Sequence, residues 1–355
     1  MSIPLSGAQT GAAANESGYH GVPMLDFYSD PVAEHRAVRE SAGLFDLTFR
    51  TIVSAKGGDR ARFLHNMVTN DVKGLTPGGG VYANVLDVKG HILADLRIYC
   101  DQDQFLLATD ADLVEKVLAT LSRYNIGGRV PLERLSLAAL SLQGPKAGEI
   151  LSGIVGASLP GPEELTHAVF NFKNEPVRVI RYGFTGETGF ELWASPAGAQ
   201  LFRQAVLDAG RSGGVTPCGS AALETLRIEA GIPVYGNDLA EDTLPLEAGL
   251  LNALSFNKGC YIGQEIVERA RSRGRVNWKL VGMFVGSSEF PPAGAKLLRE
   301  GKPLGEVTSA CVSPTLGRTI AMGYVRREVS EPGNLLALES GPEVEITALP
   351  FYQRN

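Results

Sequence analysis

The chain has 355 residues, 44% of them hydrophobic and 20% charged, with a formal net charge of −6. That length allows two or three domains with developed cores, and the acidic balance argues against a general nucleic-acid binder, which is usually basic. No apolar run approaches the ~20 residues a membrane helix needs. The first eighteen residues have neither the basic start nor the apolar centre of a secretory signal, so they read as a flexible tail on a cytoplasmic protein.

Asp30 is placed to cap a helix that starts at Pro31 and runs to Gly43, where a strand begins. Asp59 reads as the cap of a second helix carrying Phe63, Leu64 and Met67. Residues 81–88 and 91–99, split by Lys89-Gly90, form a hairpin pattern. On its second run Ile92, Ala94, Leu96 and Ile98 share one face, and His91, Asp95 and Arg97 share the other. Asp110 reads as the cap of an amphipathic helix with Leu113, Val114, Val117, Leu118 and Leu121 on one side. A β-like run at 134–142, a short helix after Pro145 and a Gly/Pro-rich break at 153–162 follow. Strands at 177–182 and 190–193 flank the glycine-rich stretch 183–189. Pro196 begins a helix, and Thr216-Pro217 reads as another helix start that stops at Gly231 and Pro233. Beyond 278, runs at 280–285, 305–310, 322–325, 335–338 and 344–349 alternate with Gly/Pro turns, as in a small β-barrel or sandwich. Helices mixed with antiparallel hairpins point to an α+β fold. The expected division is a tail at 1–18, one α+β lobe at 19–135, a second at 136–276 and a C-terminal β-barrel at 277–355.

The chemically unusual stretch is Lys258-Gly259-Cys260-Tyr261-Ile262-Gly263-Gln264-Glu265. A thiol reacts as thiolate, and a nearby cation or helix N-terminus favours that form. Lys258 lies two residues away. A helix begins near Gly263, with Ile262, Ile266 and Ala270 on one face. Arg269, Arg271, Arg273, Arg275 and Lys279 form a cationic strip behind it. Two readings stand side by side: a working thiol, or a small buried hydrophobe beside a solvated charged face. The other cysteines, Cys100, Cys218 and Cys311, make no CxxC pair, and His20, His35, His65, His91 and His167 show no metal spacing. No metal site is expected, and so few cysteines suit a reducing compartment.

The 258–265 motif, followed by Arg269-Ala270-Arg271 and Gly274, resembles the signature of the YgfZ family, folate-binding proteins connected with iron–sulfur cluster assembly or repair and linked to tRNA modification. That family is related to the glycine-cleavage T-protein, an aminomethyltransferase. The wider resemblance includes Gly43-Leu44-Phe45-Asp46, the run from Phe63 to Asp71, and Ser313-Pro314-Thr315-Leu316-Gly317. It implies a three-lobed architecture around a central tetrahydrofolate channel: two mixed antiparallel-sheet and helix lobes plus a small C-terminal barrel.

The stretch from Gly183 to Glu191 is by itself a glycine-rich hairpin. It resembles the family's folate loop, which places the pteridine-binding acid on Glu191 and a stacking ring on Phe184. A carboxylate accepts two parallel N–H bonds from an aminopyrimidine well. Gly219 to Asp238 resembles a second T-protein stretch, carrying Arg227, Glu229 and Tyr235, with Leu223 where the family has a folate-contacting arginine. Arg227 and Glu229 also fit a structural reading. Gly90 to Asp95 resembles the segment whose aspartate orients the one-carbon donor, with Ala94 in place of one acid. Asp95 is then either that carboxylate or a solvent-facing strand residue beside Arg97.

The resemblance implies a tetrahydrofolate-binding accessory protein for iron–sulfur clients. Cys260 and Lys258 then form the working site, and Glu191, Phe184, Tyr235, Arg227 and Tyr261 stand at the folate; the acidic charge and the lack of a long apolar run argue against a direct nucleic-acid or membrane partner. The alternative is a folate-dependent aminomethyl- or methyltransferase of the T-protein type, with Asp95 in its chemistry.

Overall fold

A computed structural model of the chain describes residues 16–272, 274 and 276–354. Within them the fold is α+β, with two packed sheets, helices on their outer faces, and a closed barrel of six strands. The first sheet is antiparallel and orders its strands Gly80–Leu86, Ile92–Cys100, Gln104–Asp110, Arg50–Lys56 and Leu132–Arg134. The period of two along its second strand does what the sequence implies. Ile92, Ala94, Leu96 and Ile98 are all buried and pack on Leu64 and Met67 of helix Arg60–Met67 and on Val114, Val117 and Leu121 of helix Val114–Tyr124. The opposite face carries Asp95, Arg97 and Tyr99 toward the second sheet. There Ile52, Tyr99 and Leu106 meet Phe45, Ile180 and Trp193 in a core shared by both sheets.

The second sheet runs His167–Phe172, Glu175–Arg181, Gly189–Ala194, Ala138–Gln143, Ala42–Asp46 and Val215–Cys218. Its outer face is covered by helices Ala147–Val155 and Pro196–Gly213. Two expectations fail here. Thr216-Pro217 does not start a helix: it lies in an edge strand parallel to Ala42–Phe45, and the helix is Ser220–Glu229. Proline lacks a ladder donor, which an edge strand tolerates, and Glu34 takes over the start of the helix by accepting from the Gly219 N–H at 2.9 Å. Strand Ala42–Asp46, placed by sequence order in the first lobe, is bonded inside the second sheet.

Three further local expectations change. Asp110 caps no helix; it ends its strand, and Leu113 precedes helix Val114–Tyr124. The tail is shorter than eighteen residues, since Glu16–Tyr19 pairs with Val22–Leu25; residues 1–15 of the expected tail lie outside the described residues. The barrel gains a strand, Lys296–Arg299, that its charged and apolar mixture hides.

One buried cluster ties these parts together. Arg39, on helix Pro31–Glu40, donates to the Thr185 carbonyl at 2.6 Å and to Glu229 at 2.5 Å, and its guanidinium covers the Tyr352 ring at 3.8 Å. Glu229 also accepts from Ser313 of the barrel and from Thr315 at 2.8 Å, with His35 Nε2 2.9 Å away. Burial alone would raise the Glu229 pKa. Hydrogen bonding and charge from His35, with Arg39 and Ser313, outweigh it and hold the carboxyl at about 2. A carboxyl lowered on folding contributes stability above its unfolded value of 4.5 and loses that contribution as pH falls toward about 2. The displacement is worth on the order of 3 kcal/mol. We expect Glu229→Gln to lower the urea midpoint at neutral pH and to flatten its pH dependence across that acid window. An unchanged neutral midpoint would refute the role given to this cluster.

Candidate functional site

A cavity of about 1110 Å³ opens between the two sheets, the N-terminal hairpin and the C-terminal segment. Its deepest polar wall comes from the first sheet. Tyr82 and Arg97 face each other across neighbouring strands, and Asp95 stands one step along the same face. The Tyr82 hydroxyl donates to Asp95 Oδ2 at 3.2 Å. Burial, then the negative charge of Asp110, raises the Asp95 pKa above 3.8, against the lowering pull of Arg97 and Arg50. Arg97 lies over the Tyr182 ring at 4.5 Å, and its Nε has no hydrogen-bond partner. Burial works against the Arg97 charge, but Tyr182 and Glu191 around it leave its pKa raised. An unspent buried donor beside a carboxylate and two phenol rings suits a polar aromatic ligand that offers both donors and acceptors.

Arg50 forms the adjoining wall. It donates to Asp110 through Nη1 and reaches Glu191 through Nη2 at 3.5 Å. Glu191 itself is fully buried and does not line the cavity. Its second oxygen accepts from the Trp193 indole at 3.2 Å. In this conformation it is a counter-charge behind the wall rather than an open acceptor. Phe184 does line the cavity and packs edge-on to Phe45 at 5.8 Å. Its loop is pinned from below: Glu187 accepts from Tyr352 at 2.7 Å and pairs with Arg354 at 2.7 Å.

The remaining expected site residues divide. Asp95 is not a solvent-facing strand residue; it lines the cavity. Tyr235 lines another part of it, with its hydroxyl on the Ile92 carbonyl at 3.3 Å. Arg227 reaches the lining but is committed to Glu224 and Asp238, each at 2.6 Å, and to Ser309 at 2.7 Å, so it joins helix to barrel. Leu223 also lines the cavity and carries no charge. Tyr261 is buried in the core under the first sheet, away from the cavity lining, and burial followed by Glu268 pushes its pKa up to about 12.

The 258–265 motif therefore packs on the first sheet rather than the second. Lys258 is buried, and its ammonium donates to the carbonyls of His65, of Val68 at 2.6 Å and of Asn70 at 2.8 Å. These carbonyls lie at and just beyond the end of helix Arg60–Met67, so the lysine acts as its C-terminal cap. An ammonium has three N–H groups, and these three carbonyls use all of them, so Lys258 donates no hydrogen bond to the Cys260 thiol. Burial lowers its pKa to about 8. Gly263, at φ 81°, lets the motif lie on the turn before Ile92. A Cβ there would come within 2.6 Å of the Asp87 carbonyl oxygen.

Helix Gln264–Ser272 follows; Val267 is its buried residue, and Ile266 and Ala270 beside it are half-buried, with Ile262 packed on the same core. Cys260 is exposed and is not part of the cavity lining. Of the cationic strip's described residues, Arg269 pairs with Glu265 at 2.5 Å, Arg271 lies over Phe256 at 4.1 Å, and Lys279 lines the cavity 3.9 Å from Glu331. Arg273 and Arg275 lie outside the described residues. Among the described residues no group of three or more His, Cys, Asp or Glu side chains could hold a metal ion, and no helix is long and apolar enough to cross a membrane.

Sequence reasoning missed Tyr82, Arg50, Tyr182 and the cavity role of Asp110. A signal existed for the first. Polar and aromatic residues at every second position of two paired strands mark a face that meets something other than water.

Residues 9–258 match the GCVT N-terminal domain, and residues 279–353 match the glycine cleavage T-protein C-terminal barrel domain. Cys260 falls between the two matches. The chain is 34% identical to an aminomethyltransferase of Halothermothrix orenii and 35% identical to one of Streptomyces avermitilis. The first alignment covers 94% of each chain, the second 94% of this chain and 95% of the relative. The crystal structure of the glycine cleavage system aminomethyltransferase T from Bartonella henselae superposes with a TM-score of 0.87 at 28% identity, covering 97% of this chain and 96% of that one.

If Lys258 is a cap and not a thiol activator, Lys258→Met strands three carbonyls and costs on the order of 3 kcal/mol. Cys260 should then alkylate with iodoacetamide at the wild-type rate. A marked slowing of that reaction would restore the lysine to the thiol's chemistry.

Proposed function

The chain belongs to the glycine cleavage T-protein family, and on that footing we propose that it is a folate-dependent one-carbon transferase of the aminomethyl type. The observation that carries this reading is the Asp95 carboxylate in the cavity wall, flanked by Tyr82, Arg97 and Asp110. Tetrahydrofolate is the acceptor that the family resemblance implies, and it would supply the secondary amine that takes up the one-carbon unit. The residues fit such a ring system. Tyr182 and Phe184 offer apolar faces, Arg97 an unpartnered Nε and Asp95 an acceptor. Glu191 acts from behind by holding Arg50, and Leu223 leaves the wall without the arginine of the family pattern.

Asp95 does the electrostatic part of the work. Transfer of a methylene unit between amines builds positive charge on nitrogen, and a fixed carboxylate in a poorly solvated wall stabilises that charge more than water does. The Tyr82 hydrogen bond orients it. Because burial and Asp110 raise the Asp95 pKa, the acid limb of the rate profile should fall above the ordinary carboxylate range of about 4.

The exposure of Cys260 favours a second reading, a YgfZ-type folate-binding accessory protein supporting iron–sulfur cluster assembly or repair. Under it, the thiol works on the surface, apart from the folate.

The assay is formation of methylene-tetrahydrofolate from an aminomethyl-lipoyl carrier protein. We expect turnover by the wild type and by Cys260→Ser, with a loss of about 10²–10³-fold in Asp95→Asn while tetrahydrofolate still binds. No turnover by the wild type, together with a deletion strain whose iron–sulfur enzyme is rescued by wild type but not by Cys260→Ala, would replace the first reading with the second.

A further inference from the structure

The N-terminal hairpin turns through His20 at φ 47° and Gly21 at φ 76°. Two successive positive φ values belong to the tight turn preferred by two-residue hairpins, where asparagine or glycine is the usual first occupant. A histidine in that backbone region is uncommon and carries modest strain. Strain of this kind is retained where surrounding structure holds it, often at a functional site. Nothing in the hairpin ladder requires an imidazole.

The side chain does have a place. It is 7% exposed and wedged between Tyr19, at 4.7 Å between ring centres, and Phe49, at 5.2 Å. Its Nδ1 faces Asp110 Oδ2 at 3.6 Å and Asp112 Oδ2 at 3.4 Å. The other oxygen of Asp110 accepts from Arg50, which extends to Glu191. After burial, Asp110 is the strongest influence that raises the pKa of Asp95. The charged and titratable groups around the ring are thus Asp110 and Asp112 at the strand end and following turn, Arg50 behind them, and Tyr19 on the hairpin. Tyr19 donates to Glu224 at 2.8 Å, and Glu224 is held by Arg227.

We propose that His20 is a positioning residue of this cavity: its ring closes the wall from the hairpin tip, and its Nδ1, facing Asp110 and Asp112, holds the carboxylate pair that stands beside the polar wall. Only its consequence for turnover rests on the transferase reading.

The test labels the aspartate carboxyl carbons and follows their titration by NMR, with the Asp95 signal identified by its loss in Asp95→Asn. In His20→Asn, whose side chain tolerates the turn, we expect the Asp95 midpoint to rise by about half a unit to one unit. The value of kcat/KM for aminomethyl transfer should fall about threefold to tenfold below that midpoint and recover well above it. His20→Gly, free of backbone strain, should show the same rise; a ring needed only for packing would leave the titration unmoved. An unmoved Asp95 midpoint in both variants overturns the proposal, whatever the turnover. A raised midpoint in a protein that makes no methylene-tetrahydrofolate sustains it and rejects the transferase reading instead.

Discussion

The ion pair between Arg39 and Glu229 is the constraint on which the molecule's assembly depends. Five parts of the chain meet there: the first helix, the glycine-rich loop through Thr185, the helix ending at Glu229, the barrel through Ser313, and the C-terminal segment through Tyr352. Two charges are this costly to bury unless every lone pair and N–H is used, and here nearly all are. The loop that presents Phe184 to the cavity is thereby held by Arg39 from behind and by Tyr352 on Glu187 at the cavity's edge. A site so built is shaped before any ligand arrives, which is what electrostatic catalysis needs.

The polar wall shows the same economy of position. A strand that is greasy on one side can bear anything on the other, and Ile92–Cys100 uses the freedom to display Asp95 and Arg97 into a space closed by the second sheet. Desolvation makes each charge there stronger and also dearer. Arg50 and Asp110 pair with one another, while burial opposes the ionisation of Asp95.

Much of this was readable in the sequence. Alternation marked the first hairpin, proline and its preceding cap marked helix Pro31–Glu40 with Asp30 on the Ala33 N–H, and the change of pattern near residue 278 marked the barrel. What the sequence hid was long-range pairing. Thr216-Pro217 has the local chemistry of a helix start, and only the edge of a distant sheet makes it a strand. The 258–265 motif meets a related limit. Lysine beside cysteine looks like an activated thiol along the chain, yet the ammonium turns to helix carbonyls from residues 65 to 70 while the thiol faces solvent. Proximity in sequence fixes neither side chain's direction. Glu191 shows the limit again: its spacing in the glycine-rich loop was visible, but not that Arg50 and Trp193 would occupy it.

The strand Ala42–Asp46 has a consequence for how the chain is made. Its neighbours in the sheet are Ala138–Gln143 and Val215–Cys218. While the ribosome has delivered only the residues before 138, this apolar strand has no partner on either side. It must wait, screened by its own helix or by a chaperone, because unpaired strand edges invite association between nascent chains. The first sheet, whose strands all lie between residues 50 and 134, can pair before the second sheet's partners emerge, so the cavity between them closes only when the later segments arrive.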